Sequence, residues 1–334
     1  MDGLIITILI LTIILSFAVG GQDESMATVY GSGSLKMRTA LMIGFILAVF
    51  GVIFLSEGVS KTIGASLLGD KVEYNAFMML AVLLSTTTWL IVSSRTGVPI
   101  STTHTVVGAV FGLSIVWAIT TNNSLLDGIN WASMGRVFLG WVISPILGLF
   151  VAIGAQYIVN YFLKHSSTGL LKVEHSEKIF RNLIIGVACL NQISRAGNDS
   201  ANAIGVFFGL SETGDVPSTI STYFIIISAF AFAFGLVVIG RHVIETVGTT
   251  TGQLRPSEAL AVEGTTAGII LIATLLGLPV SGAHILVFAL IGSAKMKGER
   301  PDAHSFRRMV ISWLITFPLA AGLSALYYGI LIGL

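Results

Sequence analysis

The sequence contains few charged residues. Asp, Glu, Lys and Arg together make up 10% of its 334 positions, whereas a soluble domain contains about 25%. Its 18 basic and 17 acidic residues cannot coat a water-soluble particle of this size. Hydrophobic residues account for 54% of the chain, and the mean hydropathy is +0.89. These values exclude an ordinary water-soluble globular protein and indicate that most of the surface faces lipid.

Cysteine and an excess of positive charge are also lacking. The single cysteine, Cys189, excludes an intramolecular disulfide framework and a zinc site built from several cysteines. The formal net charge of +1 argues against a nucleic-acid partner, which requires a basic face to offset phosphates. No nucleophile–base–acid set and no metal-ligand spacing of His and Asp indicates a membrane-embedded hydrolase. We therefore expect a lipid bilayer as the environment, no nucleic-acid partner and no enzymatic activity.

Long apolar runs dominate the chain. A hydrocarbon core of about 30 Å requires roughly 20 apolar residues per helix. The first run could be a signal peptide, but acidic Asp2 stands where a basic segment is expected, so we interpret it as a retained helix. The sequence thus predicts an all-α polytopic protein of the cell membrane. Its ten predicted spans are 2–20, 38–57, 75–94, 98–119, 133–162, 178–194, 218–239, 259–276, 278–294 and 309–334.

The two halves of the chain echo each other in four places, in the same order. The offsets between the echoes are confined between 172 and 184 residues, which argues against chance. The predicted organisation is one repeat over 1–165, a linker over 166–175 and a second repeat over 176–334. The echoes are Gln22-Asp23 with Asn198-Asp199, Val59-x-x-Thr62-Ile63-Gly64 with Val243-x-x-Thr246-Val247-Gly248, Pro99-Ile100-Ser101-x-x-His104 with Pro279-Val280-Ser281-x-x-His284, and Trp141-Val142-Ile143-Ser144-Pro145 with Trp313-Leu314-Ile315-Thr316-Phe317-Pro318.

Lys and Arg are distributed unequally between equivalent loops, and such residues accumulate in short cytoplasmic loops. Segments 120–132 and 211–217 contain none, whereas 295–308 contains five and 163–182 contains four. Equivalent loops are therefore expected on opposite sides of the membrane. This predicts inverted-topology repeats of five spans each, a cytoplasmic linker and two extracytoplasmic termini.

Asp23 and Asp199 occupy matching places at the ends of apolar runs. Each follows a pair of small residues, Gly20-Gly21 or Ala196-Gly197, which we interpret as a helix break. An aspartate at the bilayer centre costs about 2.5 to 3.5 kcal/mol, so the pair favours a cation partner or an aqueous cavity. The alternative is that each carboxylate caps a helix near the headgroups. Oxygen ligands suit a hard cation, and the candidate cation ligands are Asp23, Asp199, Asn198, Gln22, Ser101 and Ser281.

The Pro-x-Ser segments at 97–104 and 277–284 interrupt two apolar runs with Gly and Pro. A helix that resumes behind such a break directs free backbone N–H groups and a positive dipole end at what lies in front. Two such broken or re-entrant helices, converging from inverted halves, make an anion site; a pair of Pro-kinked helices is the alternative. The candidate substrate-binding residues are Gln22, Asp23, Ser101, Thr102, Thr103, Asn198, Asp199, Ser281, Gly282 and Ala283.

The two segments differ in their hydroxyl groups. Thr102 and Thr103 carry hydroxyls, whereas Gly282 and Ala283 do not. The second half is therefore expected to bind its ligand through backbone N–H groups with Ser281 as helix cap, and Thr at both positions is expected to be tolerated.

Three further ionisable residues leave alternatives open. His104 and His284 could carry protons, but a histidine one turn into a helix is more often a hydrogen-bonded packing residue. Arg195 stands four residues before Asp199, so it could pair with that carboxylate or contact an anion.

Three segments together resemble the inorganic phosphate transporter (PiT) family. Residues 196–205, Ala-Gly-Asn-Asp-Ser-Ala-Asn-Ala-Ile-Gly, are similar to its Gly-Ala-Asn-Asp-Val-Ala-Asn-Ala-Ile-Gly signature, and 99–104 to its Pro-Val-Ser-Thr-Thr-His motif. Residues 254–263, Leu-Arg-Pro-Ser-Glu-Ala-Leu-Ala-Val-Glu, are similar to its Leu-Thr-Pro-Ser-Arg-Gly-Phe-Ala-Ala-Glu stretch. The resemblance implies an inverted-repeat carrier of orthophosphate coupled to Na⁺ or H⁺, or of a metal–phosphate complex. Gln22 replaces the usual Asn, and Glu24 adds an acid.

Within that resemblance, we expect inorganic phosphate as substrate and Na⁺ as coupling ion. Phosphate needs its charge offset inside a low-dielectric site, and co-bound cations do this. The clustered carboxylate, amide and hydroxyl oxygens favour a metal ion over a proton, although H⁺ coupling stays open. The alternatives are a proton- or metal-coupled phosphate or sulfate permease and an anion channel of the same architecture. Association into a homo-oligomer is also left open.

Overall fold

The protein is mostly helical in the part of the chain that the structure, a computed structural model, describes, namely residues 2–64, 66–94, 100–166, 170–212, 218–251, 254–298 and 303–333. In lipid the backbone must satisfy its own hydrogen bonds, so these apolar runs form helices. They are α1 (Asp2–Gly20), α2 (Ala27–Gly31), α3 (Met37–Gly64), α4 (Ala76–Ser94), α5 (Thr102–Thr120), α6 (Leu125–Gly128), α7 (Trp131–Ser166), α8 (Leu170–Glu212), α9 (Ser218–Gly235), α10 (Arg241–Thr251), α11 (Pro256–Leu275), α12 (Gly282–Met296) and α13 (Ala303–Leu331). A π-helical segment, Leu236–Gly240, joins α9 to α10.

Eight segments among the described residues are long and apolar enough to cross a membrane, so the chain is an all-α multi-pass membrane protein. The remaining two of the ten predicted spans correspond to unusual helices. Span 278–294 is the short helix α12, which has only 15 residues because it begins after the Pro-x-Ser segment. Span 178–194 lies within α8, which continues for 43 residues. Most of the predicted linker is also helical, since α8 begins at Leu170.

The predicted break at Ala196-Gly197 is wrong. Helix α8 passes through both residues, whereas α1 does end at Gly20 as predicted. Gly197 is instead a close packing position, since a β-carbon there would lie 2.6 Å from Cβ of Leu55 and 3.0 Å from the carbonyl oxygen of Gly51 on α3. The small residue allows α8 and α3 to approach each other closely at this point.

Helix contacts agree with the repeat found in the sequence. A β-carbon at Gly112 would lie 1.9 Å from the carbonyl oxygen of Ala321, and one at Gly292 would lie 2.5 Å from the carbonyl oxygen of Leu149. The offsets between equivalent residues are 180 and 172, the values found for the neighbouring echoes. The crossing of α5 with α13 is therefore equivalent to the crossing of α12 with α7, by the same offsets that relate the sequence echoes.

The directions of α5 and α12 agree with an inverted repeat. Along α7, Gly140 lies beside Val280 and Leu149 lies beside Gly292, so α12 runs in the direction of α7. Helix α5 begins beside Trp141, about three turns into α7, and ends next to the start of α7, to which α6 connects it. Helices α5 and α12 therefore run in opposite directions, as inversion requires.

Polar contacts group the loops at the two ends of the bundle. At one end, Lys71 binds Asp127 at 3.1 Å. At the other end, Ser257 Oγ donates to Glu177 Oε1 at 2.7 Å, next to Glu258, which Lys297 approaches to 3.5 Å. The 36 residues of α7 span about 54 Å between these ends. Segment 120–132 thus lies opposite the described parts of 163–182 and 295–308; residues 213–217 of the other predicted external loop lie outside the described residues.

Candidate functional site

The starts of α5 and α12 meet in the middle of the bundle. Thr103 Oγ1 donates to the carbonyl oxygen of Val280 at 3.3 Å, and the rings of His104 and His284 lie 4.9 Å apart. The structure therefore brings together the two segments that the sequence predicts to converge, from Ser101 to Thr103 and from Ser281 to Ala283. Residues 97–99 of the first segment lie outside the described residues.

The two helix starts are capped differently. Ser101 is the N-cap of α5, and its Oγ accepts from the backbone N–H of His104 at 3.2 Å. Ser281 is the N-cap of α12, but its side chain makes no capping hydrogen bond. Ser281 thus occupies the predicted N-cap position, but the first N–H groups of α12 receive no acceptor from its hydroxyl.

Helix α8 supplies two amides that contact the helix starts. The Nδ2 of Asn198 donates to the carbonyl oxygen of Leu278 at 3.0 Å, and its Oδ1 accepts from the N–H of Val280 at 3.2 Å. Asn198 thus fixes the extended segment before α12. The Nδ2 of Asn202 lies 3.3 Å from the hydroxyls of both Thr102 and Thr103.

Arg195 lies among three carboxylates. Its Nη2 binds Glu24 Oε1 at 2.6 Å, its Nε donates to Asp199 Oδ2 at 3.0 Å, and the same Nε lies 3.6 Å from Asp23 Oδ1. All four residues are buried. Arg195 therefore pairs with Asp199, one of the alternatives left open by the sequence, and also joins it to the two acids that follow α1.

Asp23 has further partners that fix its carboxylate. Its Oδ2 accepts from Nε2 of Gln192 at 2.6 Å, and its Oδ1 accepts from the backbone N–H of Ser25 at 2.9 Å. Its neighbour Gln22 lies half-buried in the turn after α1. The two predicted aspartates thus lie at one site, and Asp23 is held by α8 as well as by its own turn.

A fourth buried carboxylate, Glu263, is a residue to which the sequence pattern assigns no role. Its Oε1 accepts from Nδ2 of Asn191 at 2.6 Å, and its Oε2 accepts from the hydroxyl of Thr28. The signal that could have found it is an ionisable residue inside the predicted span 259–276, since such residues are rare and functional in membranes.

The site carries more acidic than basic groups. Asp23, Glu24 and Asp199 face the single guanidinium of Arg195. Buried charges require compensation, so ionised carboxylates in this excess favour binding of a cation. The described residues hold no group of three or more His, Cys, Asp or Glu arranged for a metal ion. A cation here would need hydroxyl, amide or backbone oxygens as well, which are ligands that hard cations accept.

The two histidines pack against two tryptophans behind the helix starts. His104 lies 3.9 Å from Trp141 between ring centroids, and His284 lies 3.7 Å from Trp313. Neither ring nitrogen of His104, nor Nε2 of His284, has a hydrogen-bond partner in the described part of the chain. The interpretation as packing residues agrees with these contacts, whereas the expected hydrogen bonds are missing at these three ring nitrogens.

Comparisons with known proteins agree on one family. A sequence model of the phosphate transporter family matches residues 19–173 and 164–324. A Bacillus subtilis protein named "Probable low-affinity inorganic phosphate transporter" is 28% identical, with 98% of each chain covered. A protein of Pyrococcus abyssi named as a phosphate permease is 26% identical over 99% of this chain and 98% of its own. A solved structure described as "The sodium-dependent phosphate transporter" matches with a TM-score of 0.83, 26% identity and 99% of both chains covered.

Proposed function

The chain belongs to the phosphate transporter family, and from this premise we propose that it transports inorganic phosphate by symport with Na⁺. The observation that supports coupling to a cation is the excess of buried carboxylates over basic groups in the cluster that contains Asp199. Asn202, on the same helix, contacts the start of α5, so the cluster lies near the proposed anion site. Family membership supports phosphate as substrate. The sodium-dependent structural neighbour supports Na⁺ as the coupling ion.

The anion is held where the two helix starts meet. The first N–H groups of α5 and α12 carry the positive ends of two helix dipoles, which attract an anion without a formal charge. Thr102 and Thr103 add hydroxyls from the first half, whereas Ser281, Gly282 and Ala283 present the start of α12 from the second. A phosphate bound here replaces its hydration shell with fixed donors.

The cations are held beside the anion by Asp23 and Asp199, together with oxygens from Gln22, Asn198, Ser101 and Ser281. Each added Na⁺ offsets negative charge from the carboxylates and from phosphate, so that the ion and the substrate increase each other's affinity. This mutual effect is reciprocal by thermodynamic necessity. Coupling thereby follows from placing both ligands in one buried site.

Transport requires that this site open alternately to the two sides. In folds built from inverted repeats, one repeat rocks against the other around a fixed site. The repeats proposed here are residues 1–165 and 176–334, with 166–175 as a cytoplasmic linker and both termini outside. The proposed site includes residues from both halves.

The test is uptake of labelled phosphate by the purified protein in proteoliposomes. An inward Na⁺ gradient at equal pH should drive accumulation of phosphate, whereas a pH gradient without Na⁺ should not. Excess sulfate should compete weakly. Accumulation driven by the pH gradient alone would contradict Na⁺ coupling in favour of a proton symporter, and uptake that never exceeds equilibrium under any gradient would indicate a channel.

A further inference from the structure

We propose that Arg195 is itself a substrate-binding residue, whose guanidinium takes the place of the hydroxyls that the start of α12 lacks. This inference rests on the proposed function, because it assigns a further contact to the same phosphate. From the sequence, Arg195 could bind either a carboxylate or an anion. In the proposed site it binds both: carboxylates at Nε and Nη2, and the anion at Nη1.

Two edges of the guanidinium are anchored. Nε donates to Asp199 at 3.0 Å and Nη2 binds Glu24 at 2.6 Å, and the side chain is 4% exposed. A planar guanidinium presents five donors in a fixed fork, so two anchored edges determine where the third points. Glu24 is thus a positioning residue for Arg195.

The third edge has no acceptor. Nη1 of Arg195 is buried and makes no hydrogen bond within the described part of the chain. An unpaired buried donor is costly, and for a charged group the cost is larger, so such a group in a binding site indicates a missing ligand. An oxyanion supplies the acceptor that this nitrogen lacks.

The guanidinium packs with its flat face on the start of α12. A β-carbon at Gly282 would be 2.7 Å from Cζ of Arg195 and 2.9 Å from its Nη1. Position 282 therefore accommodates no side chain while the guanidinium is in place. A Thr at this position is therefore expected to displace the anchored guanidinium, whereas the sequence alone predicts that Thr is tolerated.

The internal repeat supports a replacement of hydroxyl donors by the guanidinium of Arg195. The first half reads Ser101-Thr102-Thr103-His104, and the second reads Ser281-Gly282-Ala283-His284. The second half lacks the two hydroxyls at the point where Arg195 lies. A charged donor to an oxyanion is stronger than a hydroxyl, so this substitution strengthens binding from that side.

The experiment measures equilibrium binding of labelled phosphate to purified protein at one saturating NaCl concentration. Arg195→Lys retains the charge but loses the fork, and should weaken binding by roughly tenfold. Glu24→Gln/Arg195→Gln removes both charges without leaving a lone buried carboxylate at 24, and should weaken binding further. Lys71→Gln/Asp127→Asn removes a surface ion pair and should bind as the parent does. Elution from gel filtration as a single species establishes that each variant is folded.

Introducing Thr hydroxyls in place of the guanidinium distinguishes a substrate-binding role of Arg195 from a structural one. Gly282→Thr/Ala283→Thr should weaken binding in the parent, since the guanidinium is displaced, but should strengthen it in the Glu24→Gln/Arg195→Gln background. If Arg195 had only a structural role, the effect of the two Thr substitutions on phosphate affinity would not reverse between the two backgrounds. The inference is overturned if Arg195→Lys and Glu24→Gln/Arg195→Gln both bind phosphate as tightly as the parent. Failure of the parent itself to bind phosphate would instead overturn the proposed function.

Discussion

His104 and His284 meet with their ring centroids 4.9 Å apart, although 180 residues separate them in the chain. Each lies in the first turn of its helix, α5 or α12, and each packs against the tryptophan of its own half, Trp141 or Trp313. This packing of protein side chains connects the two helix starts. The proposed anion site is therefore preorganised, which reduces the ordering cost of binding.

The first prediction concerns topology. With Cys189→Ser as background, Asn123→Cys should react with an impermeant thiol reagent from outside, and Lys178→Cys only after the membrane is permeabilised. Both positions are exposed and lie at opposite ends of α7. Labelling of both from the same side would contradict the inverted arrangement.

The second prediction concerns the coupling ion. Asp23→Asn and Asp199→Asn should each raise the Na⁺ concentration for half-maximal uptake by roughly tenfold, which corresponds to about 1.4 kcal/mol. The reason is that each change removes a charge from the proposed cation site. Asp127→Asn, which alters an exposed ion pair, is the control. If both site variants retained the parent's Na⁺ dependence, the cation would have to bind elsewhere.

The third prediction concerns the hydroxyls of α5. Thr102→Ala/Thr103→Ala should lower phosphate affinity by about 0.5–1.5 kcal/mol for each net hydrogen bond lost. Thr105→Val is the matched control, because Thr105 Oγ1 donates to the carbonyl oxygen of Ser101 in its own helix at 2.9 Å. Binding of labelled phosphate to purified variants measures both effects.

A change in the backbone of the other helix complements this measurement. Ala283→Pro deletes an N–H donor at the start of α12 and should weaken binding more than Ala283→Thr does. Parent-like binding by both Ala283→Pro and the double Thr variant would show that the helix starts serve packing alone.

The fourth prediction concerns the crossing of α3 and α8. A β-carbon at Gly51 would lie 2.2 Å from the carbonyl oxygen of Ile193, so Gly51→Ala should abolish folded protein by forcing the helices apart. At Gly154 a β-carbon meets no atom within 4 Å, so Gly154→Ala should be neutral or stabilising, by up to about 1 kcal/mol from helix propensity. Yield of the single species in gel filtration and its thermal midpoint distinguish the two. A fully stable Gly51→Ala protein would contradict the close crossing.

Much of the architecture follows from local sequence. Apolar runs of the right length must be helical in lipid, because no water is present to satisfy an open backbone. The Pro-x-Ser segments end one helix and begin another for equally local reasons, and Ser101 caps α5 as its residue type predicts. The repeat also places Asp23 and Asp199 in equivalent positions without knowledge of any contact.

The tertiary structure decided which of these local signals take effect. Ala196-Gly197 and Gly20-Gly21 look alike in sequence, and both pairs pack closely against other helices, yet α8 continues through the first pair whereas α1 ends at Gly20. Glu263 finds partners 235 and 72 residues away in Thr28 and Asn191. Arg195 could have faced a carboxylate or an anion, and the fold gives it carboxylates at Nε and Nη2 and leaves Nη1 without an acceptor among the described residues. Composition and periodicity are properties of neighbouring residues and determine helices, whereas charge compensation and close packing depend on distant residues that only the folded chain brings together.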